Sequence, residues 1–179
     1  CDPVRPVEYL MTGTGALIEI DRKTLSQRTV TSFGKKLYTA DFAPDGTMWL
    51  YLGRSYYRYS PQTGTAEVFE NILPERYVSP TGVHGNIGIG PDGRVWFSHT
   101  PTMCFGVFDP ARGVAEILYD SDIAAKLSLR GSPLGATPLV IGDTVWCGGI
   151  LYDDSTKTFR EAPNAQPLMC HRWFRTPSA

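Results

Sequence analysis

The sequence lacks several features that would place it in a common functional class. Its 179 residues contain no run close to the roughly 20 apolar residues of a membrane-spanning helix. The formal net charge is -1 and no long basic run occurs, which argues against binding to the phosphate backbone of nucleic acids. Gly-x-Ser-x-Gly elbows, phosphate-binding loops and dinucleotide fingerprints are also missing. We therefore expect no nucleic-acid partner and no nucleotide cofactor.

Cysteine is scarce, and its spacing is not that of a metal site. The four cysteines are Cys1, Cys104, Cys147 and Cys170, with no Cys-x-x-Cys pair among them. The last three are either buried small apolar residues or include one disulfide, whose pairing the sequence does not define. Cys1 is either a fragment boundary or the lipid-attachment site of a bacterial lipoprotein whose signal peptide has been removed. The second interpretation predicts a membrane-anchored protein in the periplasm or on the cell surface.

What the sequence does contain is a repeat. Three segments combine a tight turn, a short apolar strand and a tryptophan: "PDGTMWLYL" at 44–52, "PDGRVWFSH" at 91–99 and "IGDTVWCGG" at 141–149. Their tryptophans, Trp49, Trp96 and Trp146, are 47 and 50 residues apart. A period of this length is typical of propellers and other repeat architectures. We expect the three indoles to pack between neighbouring repeats, because a large ring fills the space between two sheets.

The repeat predicts an all-β fold, a β-propeller of four-stranded antiparallel blades. Short alternating runs are separated by polar turns, and helical periodicity is almost absent. The predicted single domain has four blades, at 7–33 together with 168–176, at 37–69, at 84–118 and at 136–162. The first range holds only three strands. We expect the C-terminal run "LMCHRWFRT" at 168–176 to supply its innermost strand and so close the ring, which limits exposed strand edges.

Polar residues recur where the third strands end. Asp21, Asp109 and Asp153 occupy this position in three repeats, and Ser60 occupies it in the fourth. A calcium site would need several oxygen ligands in one loop, whereas capping of a turn needs only one side chain that accepts a backbone N–H. We predict turn capping. In the linker at 119–135, a short helical turn is predicted with Asp122 as its cap.

The segment "IGIGPDGRVWFSH", followed by "FGVFDPARGVAEI", resembles the repeats of the streptogramin lyase family, also called virginiamycin B lyases. The resemblance covers 37–118 best and 136–162 less well. It implies a seven-bladed ring, a divalent metal, and a His and a Glu near the central channel. His84 lies where the family has its functional His. His99, in "WFSH", stands where the family often has its Glu, so this chain lacks that acidic partner.

Two functions of different classes follow. The first is a non-enzymatic extracytoplasmic binding or assembly module that contacts a protein or a glycan. Its contact surface is the linker face, defined as the ring face that carries the linkers 71–82 and 119–135 and the loops 52–55 and 99–103. The predicted binding residues there are Arg54, Arg76, Tyr77, His99, Met103 and Arg130.

The alternative is a metal-dependent lyase or lactone hydrolase that uses the central channel. His84 and His99 would then form a general-base pair or bind a divalent metal, because both are expected on the linker face. The binding module needs no cofactor, whereas the enzyme needs the metal.

Overall fold

The computed structural model of the chain describes residues 2–35, 37–52, 55–77, 85–99, 102–129, 131 and 136–162. Within these residues, 15 strands form four antiparallel sheets, and in each sheet the strands pair in chain order. In this part of the chain, no helix has the length and apolar character needed to cross a bilayer.

The first two sheets are consecutive meanders. Sheet I has the strands β1 (Val7–Met11), β2 (Ala16–Asp21) and β3 (Gln27–Ser32). Sheet II has the strands β4 (Leu37–Phe42), β5 (Met48–Leu52), β6 (Ser55–Ser60) and β7 (Thr65–Phe69). Sheet I thus has the three strands that the sequence predicts for the N-terminal region. The run 168–176, predicted to add its innermost strand, lies outside the described residues.

The other two sheets repeat the four-stranded meander. Sheet III has the strands β8 (Gly85–Ile89), β9 (Val95–His99), β10 (Cys104–Asp109) and β11 (Val114–Tyr119). Sheet IV has the strands β12 (Leu139–Ile141), β13 (Thr144–Cys147), β14 (Ile150–Asp153) and β15 (Thr158–Glu161). A 3₁₀ helix (Glu75–Tyr77) precedes sheet III, and the helix α1 (Ser121–Leu127) precedes sheet IV.

The first turn of sheets II and III is closed as the sequence predicts. Gly46 and Gly93 have φ angles of 84° and 81°, a region that favours glycine. The preceding aspartates accept backbone N–H groups across the turn, at 2.8 Å from Thr47 to Asp45 Oδ1 and at 3.1 Å from Arg94 to Asp92 Oδ1. These short turns hold the first two strands of each sheet in register.

The hydrophobic core consists of three clusters, one between each pair of consecutive sheets. Leu17 of sheet I packs with Leu50 of sheet II in the first cluster. Trp49 is buried between sheets II and III, where its ring lies 6.3 Å from that of Phe108. Trp96 is buried between sheets III and IV, 5.8 Å from the ring of Tyr152. This face-to-face succession of four sheets confirms the predicted all-β fold of four antiparallel β-propeller blades.

Two predictions about local features need correction or refinement. The helix in the 119–135 linker exists, but its cap is Asp120 and not Asp122, because the helix begins at Ser121. Asp120 Oδ1 accepts the backbone N–H groups of Asp122 and Ile123 at 3.0 and 2.9 Å. Trp146 is only half-buried, since it lies on the face of sheet IV that points away from sheet III.

Candidate functional site

The structure places the predicted binding residues of the linker face at different depths. Tyr77 and His99 are buried, with 4% and 1% of their surface exposed. Arg76 and Met103 are exposed. Of the described residues predicted for this face, Arg76 and Met103 are therefore the ones accessible from solvent. Three further residues of the predicted site lie outside the described residues: Arg54, His84 and Arg130.

Tyr77 connects the two linkers of this face. Its hydroxyl donates a hydrogen bond of 2.6 Å to Oδ2 of Asp120, the residue that caps α1. This hydrogen bond is the largest cause of the lowered pKa of Asp120, and burial followed by the same bond raises the pKa of Tyr77 to about 12. The pair is therefore a hydrogen-bonded phenol and carboxylate at neutral pH.

Arg76 is held over this pair at the surface. Its guanidinium carbon lies 4.6 Å from the centre of the Tyr77 ring, and its Nη2 lies 3.9 Å from Oδ2 of Asp120. An arginine stacked on an aromatic ring loses less conformational freedom when it binds, because the ring already restricts it. The arrangement thus presents an oriented positive charge on the linker face.

His99 ends β9 and lies in the core between sheets II and III. Its ring stacks on Tyr51 with the centres 5.3 Å apart, and neither ring nitrogen has a hydrogen-bond partner among the described residues. Gly85 makes room for the ring, because a Cβ there would lie 2.5 Å from Cδ2 of His99. Burial lowers the pKa of His99 to about 4. The imidazole is therefore neutral and a weak base at neutral pH.

The described residues do not fit the divalent metal that the lyase resemblance implies. No three His, Cys, Asp or Glu side chains of this part of the chain converge closely enough to hold a metal ion. Cys104 pairs with His99 across the sheet, but burial raises the pKa of its thiol, so the thiolate that metals prefer is disfavoured. The pairing of His99 with His84 stays a prediction, because His84 is not described.

Two of the cysteines can be placed. Cys104 and Cys147 are buried thiols, in different hydrophobic clusters. Burial raises the pKa of Cys147 to about 12. This agrees with small apolar core residues and excludes a disulfide between these two in the structure. Cys1 and Cys170 lie outside the described residues.

The opposite ring face carries the first and third turns of the four-stranded sheets and the last turn of sheet I, and we call it the turn face. Here the predicted capping by Asp21, Asp109 and Asp153 is confirmed. Each Oδ1 accepts the N–H group of the second residue after it, at 2.9 Å in the first two sites and 3.0 Å in the third. Their shared role is to close the last turn of each meander.

A cleft of about 630 Å³ opens on the turn face between sheets II and III. Its lining is strongly acidic: Asp45, Glu67, Asp92 and Asp109 surround one cation, Arg58. Arg58 pairs with Glu67 at 2.5 Å and lies 6.0 Å from the centre of the Trp49 ring. This cleft was not predicted from the sequence, because the turn aspartates were interpreted only as caps. Their recurrence at the same turns of adjacent repeats was the available signal.

A charged network in sheet I was also missed. Tyr9 donates a hydrogen bond of 2.8 Å to Glu19 and accepts one from Arg5. Arg5 and Arg28 pair with Glu19 at 3.2 and 2.7 Å, and Arg5 also pairs with the buried Asp2. Because two carboxylates balance two guanidinium groups, the network needs no external counter-ion. We assign it a structural role that ties the N-terminal residues to sheet I.

No protein-family model matches this sequence, and no curated protein matches it either. Solved structures with the same fold exist at low identity. A streptogramin B lyase structure is 17% identical with a TM-score of 0.59, and the match covers 90% of this chain and 53% of the lyase chain. An auxiliary nutrient binding protein from Bacteroides ovatus is 15% identical with a TM-score of 0.57, covering 87% of this chain and 37% of that one.

The third match is the extracellular domain of a B. thetaiotaomicron protein assigned as a one component system. It is 12% identical with a TM-score of 0.59, and the match covers 87% of this chain and 21% of that chain. This chain therefore spans about half or less of each of the three proteins. At these identities the likeness shows the propeller fold, and a streptogramin lyase fold is among the similar structures.

Proposed function

We propose that the protein is a non-enzymatic, extracytoplasmic binding module that contacts a protein partner through its linker face. The proposal rests on the contacts among the side chains of Arg76, Tyr77 and Asp120. The buried hydrogen bond between Tyr77 and Asp120 fixes the two linkers, and Arg76 stacks on the outside of that support. An ordered arginine is typical of interface anchors, because little freedom is lost when the partner binds.

Met103 extends the surface on the same face. It is 40% exposed and adopts a φ angle of 50°, immediately before the third strand of sheet III. Methionine and arginine are both enriched at protein interfaces. An acidic partner surface with an adjacent apolar patch would match Arg76 and Met103. Arg54 and Arg130, predicted for the same surface, would add positive charge to it.

The comparisons support a location outside the cytoplasm. The extracellular domain from B. thetaiotaomicron and the nutrient binding protein from Bacteroides ovatus both share this fold. Lipid attachment at Cys1, in a periplasmic or cell-surface lipoprotein, stays a prediction. Mass spectrometry of the protein isolated from the cells that make it tests the lipid attachment, because a lipidated N-terminal cysteine carries the mass of its acyl chains. A lipidated mass would in turn support the location outside the cytoplasm.

Site-specific photo-crosslinking tests the contact surface. A photoreactive amino acid at Met103 is expected to give a discrete crosslinked product in the cells that make the protein, and Arg76→Glu is expected to abolish it. The matched control places the same group at Thr63, which is exposed in the third turn of sheet II on the turn face. Equal products from both positions, or none from Met103, would contradict the proposal. Binding to a glycan array that Arg76→Glu removes would favour a glycan partner.

The cleft on the turn face supports a second candidate function, the binding of a small molecule. Its volume of about 630 Å³ lies within the range of ligand sites, which is roughly 300 to 1,000 Å³. Its excess of carboxylates would favour a cationic or hydroxyl-rich ligand. Calorimetric titration with amines and sugars tests this, since Glu67→Gln should weaken a genuine complex while Arg76→Glu should not.

The enzyme alternative, a metal-dependent lyase or lactone hydrolase, is separable from these functions. It requires His84 and His99 to hold or assist a divalent metal. His99→Leu would remove metal-dependent turnover of a lactone substrate if the alternative is correct, and would leave the crosslink at Met103 unchanged if the protein acts as a binding module.

A further inference from the structure

The outer face of sheet IV carries a row of apolar side chains beside the polar Arg160, and it is partly exposed. Leu139, Trp146 and Leu151 are direct partners across three adjacent strands, so their side chains share one face. Ile141 lies two residues beyond Leu139 and therefore on the same face. Leu139 and Ile141 are 41% and 61% exposed, Trp146 is half-buried, and Leu151 is 8% exposed. No hydrophobic cluster of the described residues includes any of these four.

The outer face of sheet I also exposes apolar side chains, beside the ion pair of Glu8 with Arg22. Leu10 pairs with Ile18 across β1 and β2, and Ile20 lies on the same face. Leu10 is 52% exposed and the two isoleucines are half-buried. The neighbouring residues Tyr9 and Leu17 point the other way, into the cluster shared with sheet II. The described sheets therefore end in two apolar faces, one at each end of the stack.

The three interfaces between consecutive sheets show what kind of surface fits the outer faces of sheets I and IV. Each is formed by a donor face, which carries an aromatic residue of the second strand in sheets II and III and of β1 in sheet I, and a receiving face on the next sheet. Tyr9, Trp49 and Trp96 are these aromatic residues in sheets I, II and III. Trp146 is the equivalent residue of sheet IV. The open face of sheet IV is thus a donor face, and the open face of sheet I is a receiving face.

We propose that two copies of this chain assemble head to tail into one ring of eight sheets, with sheet IV of each copy packed on sheet I of the other. A two-fold axis satisfies both open faces at once, because each copy supplies one donor face and one receiving face. Eight blades lie within the usual range of propellers. The superposition of this chain on about half of a longer propeller chain fits a stack of sheets that forms an arc of a larger ring.

The native mass tests the assembly. Light scattering after gel filtration is expected to give twice the chain mass of 19.8 kDa for the unchanged protein. Ile141→Glu on the donor face and Leu10→Glu on the receiving face should each halve that mass, because a buried carboxylate opposes packing. Both positions are more than half exposed within one chain, so the fold should survive. The control Val114→Glu changes an apolar residue that is 49% exposed on β11 of sheet III, and should remain a dimer.

Mixing the two variants distinguishes this assembly from other dimers. In a head-to-tail pair of the two variants, one interface carries both changes and the other carries neither. The mixture should therefore recover a dimer that neither variant forms alone, and this also shows that both variants are folded. A monomeric unchanged protein, a dimer that survives both changes, or a mixture that stays monomeric would each overturn the proposal. The first outcome would favour closure of the ring within one chain.

Discussion

The hydroxyl of Tyr77 donates a hydrogen bond of 2.6 Å to Oδ2 of Asp120, although the two residues are 43 positions apart in the chain. Tyr77 ends the 3₁₀ helix before sheet III, and Asp120 caps the helix before sheet IV. One buried contact therefore joins the two segments that connect consecutive blades. The linker face has a fixed shape where this bond lies, which is what a binding surface needs to avoid an ordering cost.

Tyr77→Phe should lower the free energy of unfolding by about 1 to 2 kcal/mol, because it removes a buried hydrogen bond to a charged acceptor. The loss should be largest near neutral pH. The lowered pKa of Asp120 contributes stability that is present above the unfolded-state pKa and is lost as the pH falls through the folded-state pKa. Urea unfolding at about pH 7 and about pH 3 measures this.

Tyr59→Phe is the matched control for that experiment. Tyr59 is also buried, but its hydroxyl has no hydrogen-bond partner within the described ranges. Removal of an unsatisfied buried hydroxyl should leave stability unchanged or raise it. Equal losses in the two variants would contradict the role assigned to the bond between Tyr77 and Asp120.

His99 should make the folded protein sensitive to acid. Its folded-state pKa of about 4 lies below the ordinary value of 6.5, so between these values the unfolded chain binds a proton that the folded chain does not. Stability should therefore fall as the pH drops through this window, by about 3 kcal/mol in full. His99→Leu should remove this part of the pH dependence. Urea unfolding across the window measures the slope, and equal slopes in both proteins would contradict the assignment.

Local patterns predicted the fold well because propeller blades are local structures. The turns Asp45-Gly46 and Asp92-Gly93 and the alternating runs around them depend only on neighbouring residues. The same holds for the turn caps Asp21, Asp109 and Asp153. The spacing of Trp49 and Trp96 then predicted packing between sheets, since one unit repeats along the chain.

The site was predicted less well because burial on the linker face is set by distant residues. Nothing near Tyr77 in "NILPERYVSPTG" shows that its ring is buried or that Asp120 receives its hydroxyl. His99 looked like a surface residue at a strand end, but Tyr51 and Gly85 from other strands enclose it. The cap of α1 was misplaced by two residues because both Asp120 and Asp122 suit an N-cap, and only the backbone decides between them.

Gly88→Ala should destabilise the protein by about 1 to 3 kcal/mol through overpacking. A Cβ at Gly88 would lie 2.0 Å from the carbonyl oxygen of Pro138, where the innermost strand of sheet III approaches the segment before sheet IV. Gly13→Ala is the control, because no atom lies within 4 Å of its Cβ position and its φ is not positive. Thermal unfolding compares the two. A tolerated Gly88→Ala would show that the two sheets approach less closely than described.

The two tryptophans Trp96 and Trp146 should respond differently to truncation. Trp96 is buried against Phe105 and Tyr152, with ring centres 5.7 and 5.8 Å away, so Trp96→Ala should cost about 3 to 5 kcal/mol. Trp146 is half-buried and its indole N–H is bonded to the carbonyl of Gly148 at 2.8 Å. In a dilute sample, Trp146→Ala should therefore cost less than half as much.

The stability costs of Trp96→Ala and Trp146→Ala, measured at several protein concentrations, test what covers the outer face of sheet IV. If a second copy packs on Trp146, the folded dimer gains stability by mass action as the concentration rises, and truncation removes that gain. The cost of Trp146→Ala should then grow with concentration, whereas the cost of Trp96→Ala should stay constant because its partners belong to the same chain. Denaturant midpoints across a dilution series measure both costs. A cost for Trp146→Ala that equals that of Trp96→Ala at every concentration would mean that its own chain covers the indole.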